Sequence, residues 1–260
     1  MIAIIVILLI FLLIYLALTK QDEREILQLH QTDNPPINIS YFNNMNFRDL
    51  NIRKQLTHGQ YIQIYKSAIC KFTDAEFERL QNLYQSINLP DKLRFKTLVC
   101  KLQPNHLQPN QKYLNQTYIT PELKWPHTMG NCIMIPHEAL QTSDEDLRKT
   151  IVHELAHIYQ RYNPDEMDHL LNSMGFFKVY LNIEQPANPD IRDTYAYKGV
   201  PIYTTYGANG EFVDSMDFKC ELTQQGHPYE ITAECISRVV IGNGYVRPDW
   251  KSILNTWLYI

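Results

Sequence analysis

Hydrophobic and polar positions follow different rhythms along the chain, and each rhythm points to a different kind of element. Residues 2–18 read IAIIVILLIFLLIYLAL, an apolar run without a single charge. As a helix it would rise about 26 Å at ~1.5 Å per residue, close to the ~30 Å hydrocarbon core of a bilayer. No basic stretch precedes it, and Ala17 and Thr19 make a poor cleavage pair. The run is therefore expected as an uncleaved transmembrane helix over residues 1–19 rather than a signal peptide, giving a single-pass membrane protein with an N-terminal anchor. Lys20 and Arg24 follow the run and favour a cytoplasmic C-terminal part, but they leave the side of the soluble domain unresolved.

Residues 20–50 are polar, with Asn34-Pro35-Pro36 and a scatter of Asn43, Asn44 and Asn46, and read as a spacer. A folded domain is expected over residues 51–260. Thr73-Asp74-Ala75-Glu76 is a capping box, and Phe77, Leu80, Leu83, Tyr84 and Ile87 then recur at helical spacing until Pro90. Residues 93–102 and 131–135 are rich in apolar and β-branched side chains between Pro, Gly or Asn, and read as strands. Thr142 and Ser143 are both plausible caps for a helix running to about Tyr162, with Asp144, Glu145 and Asp146 in its first turn. A long stretch punctuated by Pro, Asn and Gly separates Asn163 from Gly226, and a further helix is expected over about 228–240. Strands and helices that alternate irregularly predict an α+β class, a small mixed sheet packed on helices.

The chain has 260 residues, 45% of them hydrophobic and 20% charged, so it can bury a core. A net charge of −4 supplies no basic face, and nucleic acid is set aside as a partner. Five widely spaced cysteines without a Cys-x-x-Cys pair exclude a cysteine zinc ribbon and a disulfide-stapled miniprotein.

Within the helix expected from Ser143, His153-Glu154-Leu155-Ala156-His157 forms an H-E-x-x-H pattern. Two histidines four apart lie on one helical face, so both imidazoles can reach a single Zn²⁺ about 2.0–2.1 Å away. Glu154 projects beside that face, where a carboxylate can take a proton from zinc-bound water and pass it to a leaving amine. A catalytic site needs a third protein ligand. A histidine six residues after His157 is excluded, because that position is Asn163 and the glycine such a pattern requires is Gln160. A Gly-Thr-x-Asp-x-x-Tyr-Gly pattern is matched only at Tyr206-Gly207. Pro228-Tyr229-Glu230-Ile231-Thr232-Ala233-Glu234 places two carboxylates four apart at the start of a helix. Glu230 is the expected third ligand. Glu234, one turn on, is expected to accept the free ring N–H of a ligand histidine. His169, Asp217, Glu221 and His227 stay open as rival ligands.

Together the two motifs, over about residues 130–240, resemble the gluzincin branch of the zincin metallopeptidases, most closely members with an E-x-x-A-E second helix. The resemblance implies a zincin-like fold, with a small mixed sheet packed on an active-site helix, and a zinc-dependent endopeptidase that hydrolyses peptide bonds of a peptide or protein substrate through zinc-bound water activated by Glu154. It further implies His153, His157 and Glu230 as zinc ligands and Glu234 as their supporting partner. It also implies a donor for the oxyanion, for which Tyr206 stands first and Tyr203 and Tyr229 behind it. Residues 131–135 would be the edge strand that pairs with an extended substrate. The alternative is a membrane protein that uses the same scaffold for binding or structure without turnover.

Overall fold

A computed structural model describes residues 7–13, 15, 28–37, 39–43, 57–103, 121–180, 193–202, 204–206, 212–214 and 227–260. Its main sheet is built on β3 (Thr97–Leu102). One edge of β3 pairs with β5 (Cys132–Pro136) in parallel, from Leu98 opposite Cys132 to Leu102 opposite Pro136. Two short strands share its other edge: β1 (Leu29–Gln31) runs parallel and β2 (Ile69–Cys70) antiparallel. β4 (His127–Met129) closes the far side, antiparallel to β5. The sheet is thus mixed, in the order β1-β3-β5-β4 with β2 also on β3. Leu29–Gln31 falls in the stretch read as spacer, and the boundary expected at residue 50 lies outside the described residues.

Both faces of the sheet are covered, and side-chain alternation along β3 and β5 shows how. Val99, Ile133 and Ile135 enter the larger core, whereas Cys100, Leu102, Cys132 and Met134 enter a second one. Phe42 of α1 (Ile39–Asn43) and Tyr61 and Tyr65 of α2 (His58–Ala68) belong to the second core. A strand buried on both faces reads as a continuous apolar run, which is why β5 was legible and its five residues are all buried. Its expected place at the sheet edge is corrected. β5 lies inside the sheet between β3 and β4, and among the described residues β4 is the strand at that edge.

Five helices among the described residues fill the larger core. α3 (Asp74–Ser86) begins at Thr73, whose hydroxyl accepts the Glu76 N–H while the Glu76 carboxylate accepts the Thr73 N–H, the reciprocal capping box. α5 (Asp144–Tyr162), which follows the short α4 (Pro121–Lys124), is capped by Ser143 and carries three acids in its first turn, where they face the positive end of the helix dipole. α7 (Pro228–Ile241) has Pro228 at its first position and ends at Gly242, which takes φ 77° to turn the chain out of the helix. α8 (Pro248–Tyr259) closes the core through Trp250, whose indole N–H donates to the Met174 carbonyl at 2.9 Å.

The punctuated stretch holds elements that the sequence reading did not name. Pro164 does not end the helical region but starts α6 (Pro164–Ser173), occupying the position where a missing N–H leaves nothing unpaired. Beyond it, β6 (Phe176–Val179), β7 (Thr194–Tyr197) and β8 (Val200–Ile202) form an antiparallel meander, and β9 (Thr204–Tyr206) pairs with β10 (Phe212–Asp214).

The expected single-pass anchor, and the membrane localisation drawn from it, are corrected as well. Among the described residues no helix is long and apolar enough to cross a membrane. Within 2–18 the described residues are 7–13 and 15, which are helical and exposed. The rest of that stretch lies outside the described residues. Among the described residues, Cys70, Cys100 and Cys132 are free thiols.

One charge is carried into the core. Lys101 of β3 is 4% exposed, and its ammonium contacts both carboxylate oxygens of Glu76 at 2.8 and 2.9 Å. Burial pushes the Glu76 carboxyl up, but Lys101 and the Thr73 cap outweigh it and hold it below its ordinary range. Removing one partner of a buried pair strands the other. Glu76→Ala is expected to destabilise the fold by about 3–5 kcal/mol in urea unfolding, whereas Glu76→Gln combined with Lys101→Met recovers most of the loss. A carboxyl lowered in the folded state stabilises fully above its ordinary value of 4.5 and ceases to do so as pH falls through its folded value. Glu76→Gln should therefore flatten the acid side of the stability profile.

Candidate metal centre

Three side chains from two helices converge. His153 and His157 lie one turn apart on α5, and Glu230 lies in the first turn of α7, which packs along α5. The His153 and His157 Nε2 atoms are 3.0 Å apart, and Glu230 Oε2 is 3.3 Å from the first and 3.2 Å from the second. A tetrahedral ion with bonds of 2.0–2.1 Å holds its ligand atoms about 3.3 Å apart. The observed triangle therefore matches the edges of one coordination tetrahedron, and the group could hold a metal ion.

Proton positions sharpen the argument. The His157 Nδ1 lies 2.8 Å from the Gln160 side-chain oxygen, an acceptor, so Nδ1 carries the hydrogen and Nε2 presents a lone pair. The His153 Nδ1 faces Glu234 Oε2 at 3.6 Å, longer than a hydrogen bond but within the attraction of a carboxylate, which favours the same tautomer. Two imidazole lone pairs and a carboxylate then point at one place. Such an arrangement repels itself unless a cation lies between. A proton is the minimal one. Burial pushes the His153 imidazole down, and Glu230 with Glu234 overcomes it and drives it up to about 10.

Glu154 is 4% exposed, and its Oε2 is buried without a hydrogen-bond partner among the described residues. Burial raises its carboxyl above the ordinary range, with His153 and His157 opposing. An orphaned carboxylate oxygen beside three convergent donors fits a site completed by a metal and its water. Glu230 is in the opposite situation. Burial would raise it, but the two imidazoles hold it well below the usual carboxylate range. Glu234 is brought to about 2 against burial by His153 and by Arg238, whose Nε donates to it at 2.7 Å, with the Lys149 ammonium 3.8 Å away.

The other candidates are elsewhere. His169 is exposed on α6. His227 is buried as the cap of α7, with Nδ1 accepting the Tyr229 N–H and Nε2 facing the Asp193 carbonyl, and burial pushes its imidazole down to about 4. Asp217, Glu221 and Tyr203 lie outside the described residues. Tyr206 stands on β9, where the structure describes its backbone alone. The Tyr229 hydroxyl meets the Tyr195 hydroxyl at 3.4 Å, and Tyr195 donates to Asp168 at 2.6 Å. Sequence reasoning missed Gln160, read only as the absence of a glycine. Its available signal was a polar side chain three residues after His157, hence on the same face of the helix.

Comparison of the chain with protein-family models, with curated proteins and with solved structures returned no match.

With three donors, loss of any one leaves too few to retain an ion through dialysis. His153→Ala, His157→Ala and Glu230→Ala should each bring metal content measured by mass spectrometry to background, and His169→Ala should leave it unchanged. Glu234→Ala should lower affinity by about 10- to 100-fold without abolishing binding. Full metal content in Glu230→Ala would move the third donor elsewhere.

Proposed function

We propose that the protein is a zinc-dependent metalloendopeptidase of the zincin kind, with His153, His157 and Glu230 as ligands and Glu154 as general base. The observation that carries this reading is the unpartnered, buried Glu154 carboxylate oxygen next to a triangle of donors spaced for one tetrahedral ion. Two imidazoles and one carboxylate, with a fourth position open, form a donor set that suits catalytic zinc better than the oxygen-only sets of magnesium and calcium. A zinc ion there would lower the pKa of a water in the open position towards 7 and polarise a substrate carbonyl.

The residues of the chain supply the remaining chemistry. Glu154 takes a proton from the water as its oxygen bonds to the carbonyl carbon, and delivers that proton to the nitrogen as the C–N bond breaks. Its raised carboxyl suits both halves of the task, since a strongly acidic group would hold the proton too weakly to shuttle it. The sheet offers a place for the substrate. β4 is an edge strand, and Arg161 of α5 ties it to the helix by donating to the Gly130 carbonyl at 2.9 Å and to the Thr128 hydroxyl at 3.1 Å. An extended peptide added to that edge would run close to α5. The resemblance of the two motifs to gluzincins supports the same reading.

Glu154→Gln keeps the ligands, so zinc content and thermal stability should stay near wild type while peptide cleavage falls by about 10² to 10⁴. A peptide library digested with zinc-loaded wild type and Glu154→Gln, and read by mass spectrometry, measures the difference. Equal cleavage by both, or none by either, overturns the enzymatic reading and leaves a metal-binding domain without turnover.

A further inference from the structure

The Gln160 side chain is 2% exposed and both ends of its amide are engaged. The nitrogen lies 2.9 Å from the Tyr229 carbonyl, and the oxygen 2.8 Å from His157 Nδ1. A peptide carbonyl can only accept, so the NH₂ end must face Tyr229 and the oxygen must face the ring. That orientation leaves His157 one choice of tautomer, with hydrogen on Nδ1 and the lone pair on Nε2 directed at His153 and Glu230. Tyr229 is also the residue immediately before Glu230. A single buried amide therefore links two of the three donors, turning the ring of one and fixing the backbone that carries the other.

The two histidines are supported differently. His153 faces a carboxylate at 3.6 Å, and that carboxylate is shared with Arg238 and Lys149. His157 has a short bond to a neutral group. We infer that Gln160 is a positioning residue of the metal centre, which locks the His157 tautomer and sets the spacing between His157 and Glu230 through the Tyr229 carbonyl. The inference rests on the metal-binding reading of the His153, His157 and Glu230 triad and specifies how the triad is held.

The test uses the full chain and Co²⁺, whose visible absorption reports coordination geometry. Gln160→Met has similar length but neither donates nor accepts strongly, so Co²⁺ affinity measured against a competing chelator should fall by about 10- to 100-fold and the visible bands should shift. Gln160→Glu keeps an oxygen for the His157 N–H and loses the donor to Tyr229. It should retain more affinity than Gln160→Met while still shifting the bands. A purely structural role for Gln160 would lower the unfolding temperature and leave the bands of the folded fraction unmoved. Wild-type affinity and spectrum in Gln160→Met overturn the inference and leave the triad intact. Absence of Co²⁺ binding by wild type removes the metal reading and this inference with it. Should Gln160→Met fail to fold, Gln160→Glu decides: shifted bands uphold the role, whereas unchanged bands with undiminished affinity overturn it.

Discussion

Two imidazole nitrogens and a carboxylate oxygen meet within 3.3 Å of one another, and with both ring hydrogens on Nδ1 only lone pairs face the point where they meet. The repulsion must be balanced by a cation or by the rigidity of the helices that impose it. Most of what surrounds the triad can be understood as that rigidity. Ser143 and three acids fix the start of α5, while Pro228 and the buried His227 fix the start of α7. Glu230 falls in the first turn of α7, where a shift of the cap by one residue would rotate it about 100° away from the histidines. His227 is thus more useful as a cap than as a ligand, and its lowered imidazole is that of a neutral acceptor held in a dry place.

The sheet contributes by being buried on both sides. Val99, Ile133 and Ile135 give α3 and α5 a surface to pack on, and Cys100, Leu102, Cys132 and Met134 face α1 and α2. A sheet sandwiched in this way cannot tilt without opening one core or the other, so the edge strand β4 keeps its place beside α5. Lys101 is the exception in that apolar surface. It is tolerated because Glu76, already bound to the cap of α3, neutralises it. The same carboxylate therefore joins a helix start to the centre of the sheet.

The parts of this structure that were legible in the sequence are those governed by local rules. The caps at Thr73 and Ser143 and the proline at 228 placed three helices to within a residue or two, and the four-residue spacing of His153 and His157 put both on one face. What was not legible depended on tertiary partners. α8 repeats Trp250, Ile253, Leu254, Trp257 and Leu258 at helical spacing, yet aromatic and β-branched residues also suit strands, and the deciding contact is the Trp250 indole on the distant Met174 carbonyl. The order of strands is not written in any one of them, and β4, with three residues, is too short to carry a pattern. The apolar run at 2–18 satisfied a length rule for spanning a bilayer. No described helix meets that condition. Gln160 was visible as a residue but not as a link, because its second partner is a backbone carbonyl 69 positions away.

Three glutamates act on His153 and are driven in different directions, which separates them more clearly than sequence position does. Glu154 is buried with one oxygen unpartnered, and desolvation raises its carboxyl above the ordinary range. Glu230 is half-buried, and two imidazoles face it and hold its carboxyl well below the usual range. Glu234 is drawn to about 2 by His153 and Arg238 together, so that its charge is permanent and largely neutralised by its own neighbours. In the proposed reading a proton carrier, a donor of lone pairs and a fixed counter-charge are made from one residue type by burial and partners alone. That division of labour is the physical content of the proposed mechanism. It would be lost if the three environments were alike, even with every glutamate still in place.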